Sequence, residues 1–202
     1  LPDTVDDQKM IFAYHGVRIF NTQIQARCDS LSFIETADLM TLYSSPIIWS
    51  ENAELKGDSM QIHLKDSLID HIDIYDNASV IMALDSGTFY NQISGKDIIA
   101  LMKKGKLVQT DVYGSATSIY FPEDEEQTDS LLTIKRMGLN KLEASTLTVH
   151  LDSGEVTGIT YRTQPTGVFY PMDQINIKDK WIKNFKWNPM LRPKDFSTLD
   201  SD

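Results

Sequence analysis

The chain has 202 residues, 29 acidic against 19 basic, and a formal net charge of −10. That balance argues against a nucleic-acid binder, which grips phosphates through lysine and arginine. The 41% hydrophobic content argues against disorder, and the lack of any run of about 18 apolar residues gives no candidate membrane helix.

The opening Leu1-Pro2-Asp3 shows no charged, apolar, small-residue leader, so a processed chain is expected, with residues 1–15 as a flexible lead-in. The one cysteine, Cys28, leaves no partner for a disulfide within these residues and no thiolate-rich metal cluster. It follows Ile24 and Ala26 in alternation, the setting of a small buried apolar residue and not of a nucleophile. Asp29-Ser30-Leu31-Ser32-Phe33 then echoes Asp58-Ser59-Met60-Gln61-Ile62, where the alternation becomes clear. Met60, Ile62 and Leu64 share one face of a strand. Lys65-Asp66-Ser67 is a turn, and Leu68, Asp70, Ile72 and Ile74 continue the face, with Asp70 interrupting it. Asp76-Asn77 breaks the strand, since both residues tolerate left-handed backbone, and Ala78–Met82 begins the next one. Two strands and a short connection predict a hairpin.

The unit returns 38 residues later. Gly95 answers Gly57, Asp111-Val112-Tyr113 answers Asp73-Ile74-Tyr75, and Ala116 answers Ala78. Ile98, Ala100 and Met102 share a face, Lys103-Lys104-Gly105-Lys106 turns, and Val108, Thr110 and Val112 return. Glu123–Glu126, after Pro122, reads as a solvated acidic loop. A third copy, offset by 87, runs through Leu147, Val149 and Leu151, turns at Asp152-Ser153-Gly154 and returns through Val156, Ile159 and Tyr161. The class is all-β: stacked hairpin repeats over residues 16–177. Trp181 and Phe185, four apart, suggest one short helix or turn. The aromatic stretch 178–193 is expected to cap the last repeat and cover its open edge, a partner-docking tail being the other reading. Residues 194–202 are expected to fray.

Chemistry-bearing patterns are sparse. No two of His15, His63, His71 and His150 stand at helical metal spacing, and His63 and His150 are repeat equivalents, so neither a metal nor a cofactor is expected. No nucleophile elbow or phosphate-cradling glycine loop is present. Asp58, Asp66, Asp73 and Asp111 recur with the repeat, as residues serving the fold do, so no catalytic residue is assigned and the chain is not expected to be an enzyme. Lys103, Lys104 and Lys106 are the one concentration of positive charge: a solvated turn, or an anchor for an anionic head group.

Several strings together resemble a known family. Val17-Arg18-Ile19-Phe20, Ala26–Leu31, Ser45-Pro46-Ile47-Ile48-Trp49-Ser50, Leu55-Lys56-Gly57-Asp58, Phe89–Lys96, Asp111–Ala116, and the closing Phe185-Lys186-Trp187 with Arg192-Pro193 are similar to the OstA/LptA-like lipopolysaccharide-transport proteins of the Bacteroidetes type. The resemblance implies an open β-jellyroll, or β-taco, in the periplasm. It implies a trough moving lipopolysaccharide towards the outer membrane, with LptC-like and LptD-like partners joined edge to edge and head-to-tail self-association as a further option. The alternating apolar face fits such a groove, with Met60, Ile62, Leu64, Ile72, Ile74, Ile98, Met102, Val108, Val112, Leu147, Val149 and Ile159 as lining for lipid A acyl chains. Aspartate at 72 or 112 is then expected to lower lipid binding while the fold survives. Two other readings are a non-catalytic scaffold or adhesion module with a dry core, and a carbohydrate-active β-domain using paired carboxylates.

Overall fold

A computed structural model describes residues 9–21, 24–128 and 131–195; most of the expected frayed tail and the first eight residues of the lead-in lie outside them. The chain is all-β, with five short 3-10 turns and no α-helix among the described residues. The expected C-terminal helix or turn is a 3-10 turn, Ile177–Lys180.

Strands come in pairs that alternate between two walls. β1 (Met10–Ala13) lies in the first wall, β2 (Val17–Phe20) and β3 (Ile24–Cys28) in the second. β4 (Ser30–Ile34) and β5 (Leu39–Tyr43) return to the first, β6 (Ile47–Ser50) and β7 (Ala53–Lys56) to the second. β8 (Ser59–Lys65) and β9 (Leu68–Tyr75), then β10 (Ala78–Leu84) and β11 (Phe89–Gly95), repeat the step. After β12 (Asp97–Lys103), the long β13 (Lys106–Tyr120) crosses from the first wall into the second. β14 (Glu123–Thr128) and β15 (Leu131–Arg136) pair with each other in a separate two-stranded sheet. β16 (Gly138–Asp152) crosses back, and β17 (Glu155–Arg162) and β18 (Thr166–Pro171) end the two walls. The acidic segment expected to be a loop is therefore one arm of the β14–β15 hairpin, tied down by Arg136, which donates to both Asp85 and Glu123.

The result is one 16-stranded antiparallel sheet folded lengthwise, with no strand pairing among the described residues along the side opposite the crease. The crease shows why the 38-residue repeat exists. Strands leaving the first wall turn through two consecutive left-handed residues: Ser44-Ser45, Asp76-Asn77, Gly114-Ser115 and Thr163-Gln164. Serine, asparagine, aspartate and glycine accept this backbone at the least cost. Strands coming back pass through a single residue whose amide caps the corner opposite: Asp58 N–H donates to Tyr75 O and Asp76 O (both 3.0 Å), and Lys96 N–H to Tyr113 O and Gly114 O (both 2.9 Å). The recurring glycines stand beside these points. A Cβ on Gly57 would lie 2.4 Å from Ile74 Cγ2, and one on Gly95 2.5 Å from Val112 Cγ1. Gly57 and Gly95 are thus kept small by an apolar side chain that itself recurs.

The expected face parity fails in one way, and it fails repeatedly. Register shifts between His63 and Leu64, between Leu101 and Met102, and between His150 and Leu151 put a β-bulge into three successive hairpins of the first wall. Beyond the bulge Ile69, not Leu68, packs inward, and Leu68 is 51% exposed. In the next hairpin Leu107 enters the core and Val108, an expected lining residue, is displaced from it.

The aromatic C-terminal segment does not cover the last edge. It crosses the outer face of the second wall, where Ile182, Phe185 and Trp187 pack with Ile81, Ile119, Phe121 and Leu139. Gln92 anchors one end, its Nε2 donating to Lys180 O (2.8 Å) and its Oε1 accepting from Ile182 N–H (3.0 Å). Glu54 and Gln25 anchor the other, accepting from Asn188 and Arg192. The strap covers apolar side chains on the outer face of β10, β13 and β16 that would otherwise meet water.

Candidate functional site

Folding the sheet lengthwise turns the apolar faces of its two walls towards each other. Met60, Ile62, Ile72, Ile74, Ile98, Met102, Val112, Leu147 and Val149 are buried in this shared interior, and Leu64 and Ile159 pack against it half-buried. All the expected lining residues lie in the first wall. The facing wall, formed by Ile24, Ala26, Ile48, Leu55, Val80, Met82 and Ile93, was not anticipated as lining. The signal that obscured it is apolarity on both faces: in Val80-Ile81-Met82 the outward Ile81 is covered by the strap.

The two walls are in contact. The interior leaves a cavity of about 30 Å³, bordered by Met82, Ile93, Leu107, Val149, Leu151 and Ile159. That is room for one or two waters, far less than an acyl chain fills. Ile72 and Val112 are both 0% exposed. A carboxylate at either position would enter the packed interior, so the expectation that the fold tolerates aspartate there does not hold.

The mouth opposite the crease is fastened by hairpin tips. Ser50 Oγ, at the β6–β7 tip, donates to Gly105 O at the β12–β13 tip (3.3 Å), and Lys106 Nζ pairs with Glu51 at 3.1 Å. The ion pair joins half-exposed side chains and resists opening weakly, while the buried hydrogen bond contributes about 0.5–1.5 kcal/mol. Of the three lysines singled out by charge, Lys106 belongs to this clasp, while Lys103 and Lys104 stand exposed on the same tip.

Cys28 lies inside the second wall, as its alternation predicts. Burial pushes its thiol from 9.0 to about 11, with the charge of Asp29 adding to the rise and a backbone hydrogen bond from Tyr43 opposing it. At pH 8 these values make the native thiolate about 100-fold rarer than the unfolded one. Iodoacetamide is expected to label the native chain about 100-fold more slowly than the urea-unfolded chain, measured by mass spectrometry; equal rates would mean that the interior opens freely. Because the native state holds this proton when the unfolded state has lost it, the same shift costs stability as pH rises from 9 towards 11.

A lengthwise-folded antiparallel sheet with an apolar interior, a hydrogen-bonded crease and a polar, unpaired mouth defines the LptA-like β-jellyroll. The chain superposes on LptH from Pseudomonas aeruginosa, described as the LptA-homologous periplasmic component of the conserved lipopolysaccharide transport device, with a TM-score of 0.53. The match has 10% identity and covers 73% of this chain and 95% of that one. At that identity the likeness is one of fold. No family model matches the sequence, and no curated protein matches it.

Proposed function

We propose that this chain is a non-catalytic, periplasmic module of a bridge that passes lipopolysaccharide towards the outer membrane, holding lipid A acyl chains between its two walls. The observation that supports this most is the interior itself: two facing apolar walls running the length of the sheet, with polar tip contacts at the mouth beside Ala53 and Leu107. Each methylene taken out of water contributes about 0.8 kcal/mol. Loading separates the walls, which gives up their mutual contact, and the acyl chain then covers the same side chains. The net affinity is a difference of two similar terms, which suits a carrier that must release its cargo. Successive inward rows are chemically alike, so a chain advancing along the interior meets no deep trap.

The ends of the stack fit assembly. Among the described residues β1 pairs only with β4, and its Met10, Ile11 and Phe12 are exposed, 44–60% each. At the opposite end β17 and β18, among the described residues, each pair only with β16. Unpaired edges of this kind take another strand through main-chain hydrogen bonds, as LptC-like and LptD-like partners or a second copy placed head to tail would. Lys103 and Lys104 stand on the tip that lines the mouth and are the residues proposed to meet the phosphates of an entering head group.

Lipid extracted from the intact chain, purified from a cell envelope without detergent exchange, tests the reading by mass spectrometry. An acylated, phosphorylated glycolipid is expected at a substantial molar fraction. Empty extracts, together with no photocrosslinking of added lipopolysaccharide to interior positions, would overturn it and favour a dry scaffold.

A further inference from the structure

On the outer face of the first wall, away from the apolar interior, strand pairing brings His63 of β8 directly opposite His71 of β9. Their rings stack with centroids 4.1 Å apart and planes 10° from parallel. Asp73, two residues along β9, reaches back between them: its Oδ2 is 3.0 Å from His63 Nε2 and 3.9 Å from His71 Nε2. The three donor atoms lie within 4.8 Å of one another, and all three residues are half-buried. We propose that His63 Nε2, His71 Nε2 and an Asp73 carboxylate oxygen form a binding site for a zinc-class divalent cation, with the remaining coordination position open to water or an external ligand.

The chemistry of the donors carries the inference. His71 Nδ1 is 2.8 Å from Asp70 Oδ2. An ionised carboxylate only accepts, so Nδ1 is the donor in this contact and Nε2 is the ring nitrogen that faces Asp73. His71 Nε2 stands 3.9 Å from Asp73 Oδ2, beyond direct hydrogen-bond reach. The stacked rings hold their in-plane lone pairs in nearly parallel planes, so binding one cation turns at least one of these outer-face imidazoles out of the stack to bring both nitrogens and the carboxylate to one point. Metal–ligand distances of about 2.0–2.2 Å place tetrahedral ligand atoms about 3.3 Å apart, and the distances of 3.0 and 3.9 Å bracket that value. Two imidazoles select zinc, nickel or copper over magnesium or calcium.

The outer groups are arranged as a ligand set requires. Asp70 orients His71 from behind, the carboxylate–histidine arrangement that fixes tautomer and ring plane. Tyr75 donates to Gln61 Oε1 at 3.1 Å and to Asp73 Oδ2 at 3.4 Å, which steadies the carboxylate. The bulge on β9 makes this possible, because the register shift after His63 leaves Asp70 without a cross-strand partner and beside the His71 ring. The histidine pair is invisible to a search at helical spacing, since its two members become neighbours only across an antiparallel hairpin.

The test uses the full chain after chelator treatment, titrated with Zn²⁺ in a calorimeter and with Co²⁺ in a spectrophotometer. One equivalent is expected to bind, with the visible absorption of four-coordinate cobalt. The exposed-face variants His63→Ala and His71→Ala, checked for folding by circular dichroism, are each expected to weaken binding at least tenfold. Asp70→Asn, which keeps all three ligands but alters their support, is expected to weaken it about 10-fold or more. No binding, or equal binding by the His63→Ala/His71→Ala double variant, would overturn the proposal. The readouts do not involve lipid, so they stand whether or not the chain carries one.

Discussion

Fastening the mouth covalently is expected to abolish loading with acylated lipid. Glu51 and Lys106 meet at 3.1 Å across the opening, so the Glu51→Cys/Lys106→Cys double variant joined by a short bismaleimide would hold the two tips together. With the walls so held, the gap bordered by Met82, Leu107, Val149 and Ile159 stays at about 30 Å³, while an acyl chain brings a dozen or so methylenes. Lipopolysaccharide bound per protein, read by photocrosslinking or native mass spectrometry, is expected to fall at least tenfold after crosslinking. The same variant without crosslinker is expected to load like the parent, because an exposed ion pair contributes only about 0–1 kcal/mol. Cys28 leaves the experiment clean, its thiol being buried and pushed up to about 11. Undiminished loading of the crosslinked protein would place the lipid outside the interior, with the exposed apolar side chains of β1 as the next surface to test.

The second large effect concerns the strap. Glu54 is 0% exposed, yet it lies on the outer face of the second wall, where it pairs with Lys56 at 2.7 Å and accepts from Asn188 N–H (3.0 Å) and Nδ2 (2.8 Å). Lys56 also donates to Lys186 O. Burial holds the Lys56 ammonium below its ordinary pKa in spite of Glu54, so losing the carboxylate would strand a poorly hydrated cation and release two bonds to the strap. Removing one partner of such a pair costs about 3–5 kcal/mol. At about 2–4 °C per kcal/mol for a chain of this size, Glu54→Ala is expected to lower Tm by roughly 6–20 °C. It should also open the 172–193 segment to proteolysis. Glu54→Gln keeps an acceptor for Asn188 and is expected to fall between. A Tm within 2 °C of the parent for Glu54→Ala would show that the aromatic side chains alone hold the strap.

Much of this architecture was legible from residues 57 to 116. The match of Gly57 with Gly95 and of Asp73-Ile74-Tyr75 with Asp111-Val112-Tyr113 reports a corner that must be rebuilt at every return, with left-handed residues on one strand and a glycine on the next. What the pattern could not carry was parity through a bulge. Leu68 and Val108 obey strict alternation in the linear chain, and only the shifted pairing with β8 and β12 moves them off the inner face. The His63–His71 pair was hidden for a related reason, being adjacent only once β8 and β9 are in register.

Local alternation and turn chemistry settled the all-β class, the hairpin repeat and the inner face of the first wall, because that wall is apolar on one side and wet on the other. The second wall is covered on both sides, by the first wall within and by the strap without, so its strands lose the two-residue rhythm that would have marked a face. Which way the strap lies, that the walls touch, and that polar tips hold the mouth depend on contacts between segments tens of residues or more apart. Those are decided by which surfaces remain to be covered once the sheet has folded.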